Sequence, residues 1–135
     1  MIRFLGPEWV DAFNRAVLDV SVAPPGPDAG LAVRDGRFSM SQVVTGGPHG
    51  DVATTLQVED GVVTMAVGDS PHAAVTIRLT WVDAVAMAAG ELTPAQAIAA
   101  GRVRVRGDLS VLAEAQAVLG ALSPHLQKLR DLTEY

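Results

Sequence analysis

The three histidines are the residues best suited to acid–base or metal chemistry, and their surroundings argue against both roles. His49, His72 and His125 each follow a proline, which is typical of loops rather than of helix interiors. None has a histidine or carboxylate four residues away along a helix, the spacing that places two metal ligands on one helix face. We therefore interpret all three as solvated loop histidines.

Other catalytic signatures are also absent from the sequence. The chain contains no cysteine, which excludes disulfides, thiolate metal ligands and a cysteine nucleophile. It has no Gly-x-Ser-x-Gly elbow. The Gly46–Gly50 run lacks the lysine and the following helix of a phosphate-binding loop, so a hairpin loop is the better interpretation. Since the carboxylates are dispersed as well, we predict no catalytic residue, no metal and no cofactor, and do not expect an enzyme.

Arg102, Arg104 and Arg106 form the one patterned group of charges. They alternate with two valines, so a strand would carry the three guanidinium groups on one face. Such a row suits attraction to anionic lipid headgroups or to a ligand carboxylate. It also suits a solvated strand face that protects a sheet edge, and this is the interpretation we favour. The net charge of −5 argues against a general nucleic-acid binder.

The segments that would position these side chains begin with a helix. A proline and a glutamate in its first turn predict a helix over about residues 7–20, and the proline- and glycine-rich stretch 21–30 predicts an extended connector. We expect the core to occupy residues 31–135, within a single domain that spans residues 1–135.

Strands are predicted between residues 31 and 80, where apolar and polar residues alternate. Leu31–Val33 would form a short first strand, and Asp60-Gly61 is a strong signal for a tight turn. We interpret the region as an antiparallel meander, because the connections are short hairpin turns with no room for helical crossovers.

Helices return after residue 80. Thr80 and Thr93 are each predicted to cap the start of a helix. Thr93 is followed directly by proline and, three residues after Thr93, by glutamine. A further helix over Leu109–Leu122 is apolar around most of its circumference. Such a helix is buried, faces a partner or lines a cavity. The order of elements indicates an α+β fold with helices on one face of a sheet.

The sequence gives no sign of export or of membrane insertion. No run reaches the roughly 18 apolar residues of a spanning helix, and the first residues lack the layout of a signal peptide. We therefore expect a cytoplasmic protein.

Residues 88–108 resemble the sterol carrier protein type 2 family, the non-specific lipid-transfer domain. The resemblance rests on two motifs, Ala88–Ile98, which reads AAGELTPAQAI, and Ala100–Asp108, which reads AGRVRVRGD. The resemblance covers about residues 38–122, and the opening Ile2–Trp9 looks like that of stand-alone bacterial members. The chain differs from well-studied members in lacking a C-terminal peroxisomal address and in carrying Ile98 where an aromatic residue is frequent.

The resemblance implies a fold and a function. The fold is α+β: a twisted, mostly antiparallel five-stranded sheet with helices on one face, enclosing an apolar tunnel. The function is the non-catalytic binding and transfer of a fatty acid, fatty acyl-CoA or sterol-like lipid. The implied partners are this apolar ligand and, transiently, a membrane surface, with the protein a monomer or homodimer. The alternative is a protein-interaction or dimerisation module of the same fold, with a closed core and no lipid.

The tunnel lining is predicted from the apolar side of each strand and helix. A fatty chain could bind there without polar contacts, because each buried methylene contributes about 0.8 kcal/mol. The predicted lining residues are Leu56, Val58, Val63, Met65, Ile77 and Leu79 on the sheet, and Val85, Met87, Ile98, Leu112 and Leu119 on the helices.

Overall fold

A computed structural model of the chain describes residues 2–20, 37–70 and 72–135. The predicted connector 21–30 and the predicted strand Leu31–Val33 lie outside the described residues. So do seven side chains within helical segments, those of Pro94, Ala95, Ser110, Ala113, Gln116, Leu119 and Ser123.

Strands and helices alternate in blocks along the described chain. The predicted first helix begins at its proline and ends three residues before residue 20. A 3-10 turn, Ser123–Leu126, joins the last two helices. The strands are β1 (Ile2–Arg3), β2 (Arg37–Gly47), β3 (Gly50–Glu59), β4 (Val62–Val67), β5 (Val75–Thr80), β6 (Arg104–Gly107) and β7 (Thr133–Glu134), and the helices are α1 (Pro7–Val17), α2 (Trp81–Ala88), α3 (Pro94–Ala99), α4 (Leu109–Leu122) and α5 (Gln127–Leu132).

The main sheet has five strands in the order β4-β3-β2-β5-β6. The pairs β2–β3, β3–β4 and β5–β6 are antiparallel. The pair β2–β5 is parallel, so the sheet is mixed. The predicted α+β fold with a mostly antiparallel five-stranded sheet is confirmed. The predicted meander is wrong at one step, because β5 pairs with the central strand β2 and not with β4.

The described residues between β4 and β5, 68–70 and 72–74, explain this step. Residues 68–70 lie against β3 and β2 on the sheet face opposite the core. There the Thr55 hydroxyl donates to the Gly68 carbonyl at 2.8 Å, and the Ser70 N–H donates to Ser41 Oγ at 2.9 Å. Ser41 is consequently fully buried on a face that is otherwise partly solvated. Alternation predicts a strand but not its neighbour, so the sequence pattern did not distinguish a hairpin from the pairing of β5 with β2.

The other face of the sheet carries the core. Residues that are directly opposite each other on neighbouring strands lie on the same face of the sheet. The strand register therefore aligns the apolar residues of four strands in one continuous row. Helices α1, α2 and α4 pack against it. The row contains Phe38, Met40 and Val44 on β2, Leu56 and Val58 on β3, Val63 on β4, and Val75, Ile77 and Leu79 on β5.

The predicted helix starts at Thr80 and Thr93 are confirmed by their hydrogen bonds. Thr80 Oγ1 accepts from the Asp83 N–H at 3.3 Å. Thr93 Oγ1 accepts from the Gln96 N–H at 3.1 Å, and the Gln96 side chain accepts from the Thr93 N–H at 3.0 Å, which completes a capping box.

The basic strand is shorter than the sequence predicted. It begins at Arg104, and Arg102 precedes it. The Arg102 N–H donates to the Ala97 carbonyl at 2.9 Å, so it closes the end of α3 and is not available to a strand ladder.

A second, two-stranded sheet joins the two ends of the chain. Strand β1 runs parallel to β7, with Ile2 opposite Thr133 and Arg3 opposite Glu134. The Phe4 N–H extends the pairing by donating to the Glu134 carbonyl at 2.9 Å. The sequence did not predict these strands, since two residues are too few for a period. They place the first and last described residues beside each other.

Candidate functional site

A cavity of about 600 Å³ lies over the sheet, between α1, the end of α2 and the C-terminal segment. Its volume falls within the range of small-molecule sites, roughly 300–1,000 Å³. The lining is mainly apolar and comes from both ends of the chain. It comprises Phe4, Leu5, Trp9, Phe13, Gln42, Met65, Ala84, Met87, Ala88, Ala89, Gly90, Gly120, Leu126, Gln127, Leu129, Arg130, Thr133 and Tyr135.

The cavity has a buried floor and an exposed rim. Phe4, Phe13 and Leu129 are each at most 5% exposed and belong to the floor. Gly90 at the end of α2 and Tyr135 in the C-terminal segment are exposed and belong to the rim. The cavity therefore opens to solvent between these two parts of the chain.

Aromatic side chains form the wall that joins α1 to the chain ends. Phe4 lies at the centre, with ring centroids 5.3 Å from Trp9, 5.4 Å from Trp81 and 5.1 Å from Tyr135. Trp9 stacks on Phe13 at 5.7 Å. Five of the six aromatic residues of the chain thus form one cluster, so a rigid apolar wall is concentrated where the cavity lies.

Most of the polar side chains in the lining already have protein partners. Thr133 Oγ1 accepts from Trp9 Nε1 at 3.1 Å and donates to the Leu129 carbonyl at 2.6 Å. Gln127 Nε2 donates to Asp131 Oδ1 at 3.1 Å, and Arg130 Nη2 donates to Gln127 Oε1 at 3.0 Å. These groups can orient a ligand, but none pairs a nucleophile with a base.

The histidines stand apart from the cavity, and all three are exposed, as predicted for loop residues. Within residues 2–20, 37–70 and 72–135, no group of three or more histidine, aspartate or glutamate side chains is placed to hold a metal ion. The same ranges contain no helix that is long and apolar enough to cross a bilayer.

The predicted lining residues divide into three groups in the structure. Met65 and Met87 line the cavity. Val85 is half-buried against the core, Ile98 is 39% exposed on α3, and the side chain of Leu119 lies outside the described residues. The remaining six are buried at 3–6% exposure in the core and do not reach the cavity lining: Leu56, Val58, Val63, Ile77, Leu79 and Leu112.

The sequence did not predict that residues from the two chain ends line the cavity. Trp9 and Phe13 lie on the apolar stripe of α1, and Phe4 and Tyr135 flank it in space. The concentration of the few aromatic residues near the ends was the available signal. It was not usable alone, because nothing in the sequence indicates that β1 and β7 pair.

The arginines lie on the opposite side of the sheet. Arg104 is directly opposite Arg78, and Arg106 is opposite Thr76, so Arg78, Arg104 and Arg106 form an exposed arginine patch. No carboxylate of the described chain lies within 4 Å of these three guanidinium groups. Arg102 instead forms an ion pair with Asp83 at 3.5 Å.

Solved structures of known proteins share this fold. The crystal structure of Sterol Carrier Protein 2 Like 2 from Aedes aegypti is 19% identical, with a TM-score of 0.55, over 82% of this chain and 93% of that chain. The NMR structure of palmitated SCP2L2 from Aedes aegypti is 18% identical, with a TM-score of 0.59, over 82% and 90%. A conserved hypothetical protein from Thermus thermophilus is 15% identical, with a TM-score of 0.55, over 100% and 93%.

At these identities the structural likeness establishes the fold alone. No curated protein matches the chain in sequence. The family itself is shown by sequence, since the model of the SCP-2 sterol transfer family matches residues 37–120, more than half of the chain. The protein belongs to the SCP-2 sterol transfer family.

Proposed function

We propose that this protein is a non-catalytic carrier that binds a fatty acid, a fatty acyl-CoA or a sterol-like lipid in the cavity beside α1 and α5. The observation that carries the proposal is a cavity of about 600 Å³ with a mainly aromatic and aliphatic lining, in a chain of a lipid-binding family. The palmitated state of the Aedes aegypti relative supports a fatty chain as one ligand class.

Binding in this cavity would be driven by the removal of apolar surface from water. Each buried methylene contributes about 0.8 kcal/mol, and this force has no direction. Met65 and Met87 add flexible, polarisable walls that adapt to ligands of different shape. These properties favour a broad choice of lipids over one tightly defined ligand.

The predicted tunnel extends the proposal into the core. Met65 and Met87 belong both to the predicted lining and to the cavity, and Leu56 lies directly opposite Met65 on β3. A longer ligand would therefore reach the buried predicted residues by displacing side chains around Met65. The predicted lining beyond the two methionines is part of this proposal.

Exchange of ligand would require transient contact with a membrane, and the rim suits such contact. Tyr135 at the rim is 43% exposed, and Leu132 at the end of α5 is 45% exposed. Aromatic and aliphatic side chains at an edge partition favourably into the headgroup region of a bilayer. The arginine patch lies on the opposite sheet face, so this contact does not involve it.

A cavity-filling variant tests the proposal. Ala88 lines the cavity, so Ala88→Phe places a ring in the space that the ligand would occupy. We expect the affinity for a fluorescent fatty acid to fall by at least about tenfold, the equivalent of roughly 1.4 kcal/mol. The matched control is Ala117→Phe, at an exposed position of α4 outside the lining, which should bind as the wild type does.

Native mass spectrometry of the wild-type protein completes the test. A co-purified lipid, or a mass shift on adding palmitate, supports the carrier. A ligand-free dimer that takes up no fatty acid would instead favour the interaction module, and the carrier proposal would then be abandoned.

A further inference from the structure

Gln42 is a polar residue in the middle of the covered face of the sheet. It lies on the central strand β2, and its neighbours along that face, Met40 and Val44, are buried apolar residues. Across the strands it is directly opposite Thr54 on β3 and Ile77 on β5. Its neighbours on this face are therefore apolar except for Thr54, and Gln42 lines the cavity.

The Gln42 amide makes no hydrogen bond to any residue that the structure describes, although it is half-buried. Its polar atoms are not fully buried, and an amide offers two donors and an acceptor that a ligand in the cavity could reach. Asn14 provides the contrast. Its Nδ2 donates to the Met65 carbonyl at 2.8 Å and its Oδ1 accepts from the Met65 N–H at 2.7 Å, so that amide ties α1 to β4.

The remaining polar groups of the lining differ from Gln42 in position. Gln127 and Arg130 lie on α5, and they hydrogen-bond to each other at 3.0 Å. Gln42 lies on strand β2 of the sheet and lines the same cavity. A ligand that fills the cavity from α5 to the sheet would thus bring one end to an amide whose donors and acceptor have no partner among the described residues.

We propose that Gln42 is a ligand-contacting residue whose amide hydrogen-bonds to an oxygen of the bound lipid, a hydroxyl, carbonyl or carboxylate. The inference rests on the proposed carrier function and adds a chemical requirement to it. Apolar pockets gain orientation and specificity from a few placed polar groups, and a site built to pair a ligand oxygen discriminates against an analogue that lacks it. The cavity is therefore selective for an oxygenated end at the sheet.

A matched pair of ligands tests this requirement. Palmitate and ω-hydroxypalmitate have the same chain and carboxylate and differ in one terminal hydroxyl. We compare the dissociation constants of both for the wild-type protein and for Gln42→Met, which keeps the length of the side chain and removes its polar atoms. Gln42→Leu serves as a second apolar variant. The control is Gln57→Met, which makes the same chemical change at an exposed position of β3 on the opposite sheet face, outside the lining.

If the distal hydroxyl reaches Gln42, the wild-type protein prefers ω-hydroxypalmitate by about tenfold, as for one well-made hydrogen bond, and both Gln42 variants lose this preference. If the carboxylate reaches Gln42, both ligands lose affinity together in both variants. Either result supports the proposal, and Gln57→Met should change neither affinity.

The proposal is overturned if both Gln42 variants bind the two ligands with unchanged or increased affinity and the same ratio as the wild type. That failure differs from a failure of the carrier function, in which the wild-type protein binds neither palmitate nor ω-hydroxypalmitate.

Discussion

Asp83 shows how a single buried charge determines local geometry in this protein. It is 9% exposed, although it is the only charged residue of α2. Its N–H bonds the Thr80 hydroxyl and its carboxylate pairs with Arg102. The sequence predicted the first interaction from the spacing of Thr80 and Asp83. It did not predict the second, because the alternating pattern placed Arg102 in a strand.

Removal of the Arg102 guanidinium should therefore destabilise the protein. In Arg102→Ala the carboxylate of Asp83 stays buried without its partner, and we expect a loss of about 1–2 kcal/mol in the free energy of unfolding. This is less than for a fully buried pair, because the Arg102 side chain is 55% exposed. Urea denaturation measures the change. Arg106→Ala, at an exposed arginine on the same segment, should leave the midpoint unchanged, and equal effects of the two variants would contradict this role of Asp83.

At the scale of elements, the sequence predicted where the strands lie in the chain better than it predicted which strands pair. The alternating residues of β2 to β5 give the correct buried face, because alternation follows from the pleat of a strand. The pairing of β5 with β2 depends on residues 68–70, which contact the hydroxyls of Ser41 and Thr55. These polar residues look solvent-facing in the sequence, so no pattern distinguishes them from ordinary exposed residues.

The register of β5 and β6 places two arginines opposite each other, and the alternating arginines of the sequence did not predict this pair. Arg78 and Arg104 are directly opposite each other on the exposed face, and like charges in this position are destabilising. We expect Arg104→Glu to raise the free energy of unfolding by about 0.2–1 kcal/mol at low salt, since it replaces repulsion with attraction.

The increase in the free energy of unfolding of Arg104→Glu should be smaller in 1 M salt, where the Debye length is only about 3 Å. Urea unfolding of both proteins at the two salt concentrations measures this change. Fatty-acid affinity should stay unchanged. A loss of affinity in Arg104→Glu would show instead that the arginine patch takes part in ligand binding, against the solvated-face interpretation.

At the scale of the whole molecule, the cavity depends on residues that are distant in the chain. Trp9 and Thr133 are separated by 124 positions and meet through one hydrogen bond. The family motifs at residues 88–108 predict the fold, and they lie largely outside the cavity lining. The predicted lining was taken from the apolar side of each strand, and this side is the buried face of the sheet. It missed the chain ends, because pairing between two-residue strands leaves no periodic trace.

Thr133 is the residue through which the chain ends hold the cavity wall in place. Its buried hydroxyl accepts from Trp9 and donates to the Leu129 carbonyl, so it joins α1, α5 and β7. Thr133→Val keeps the volume but leaves both partners unmatched, and we expect a loss of about 1–3 kcal/mol in the free energy of unfolding. Because Trp9 lines the cavity, fatty-acid affinity should fall as well, even at temperatures where the variant is fully folded.

Denaturant unfolding and fatty-acid titration of the same samples separate the two effects. Thr64→Val, at an exposed position of β4 on the opposite sheet face, makes the same chemical change away from the cavity and should alter neither. If Thr133→Val loses stability and keeps full affinity, then the aromatic wall holds its shape without this hydrogen bond. The pairing of the chain ends would in that case stabilise the fold without shaping the ligand site.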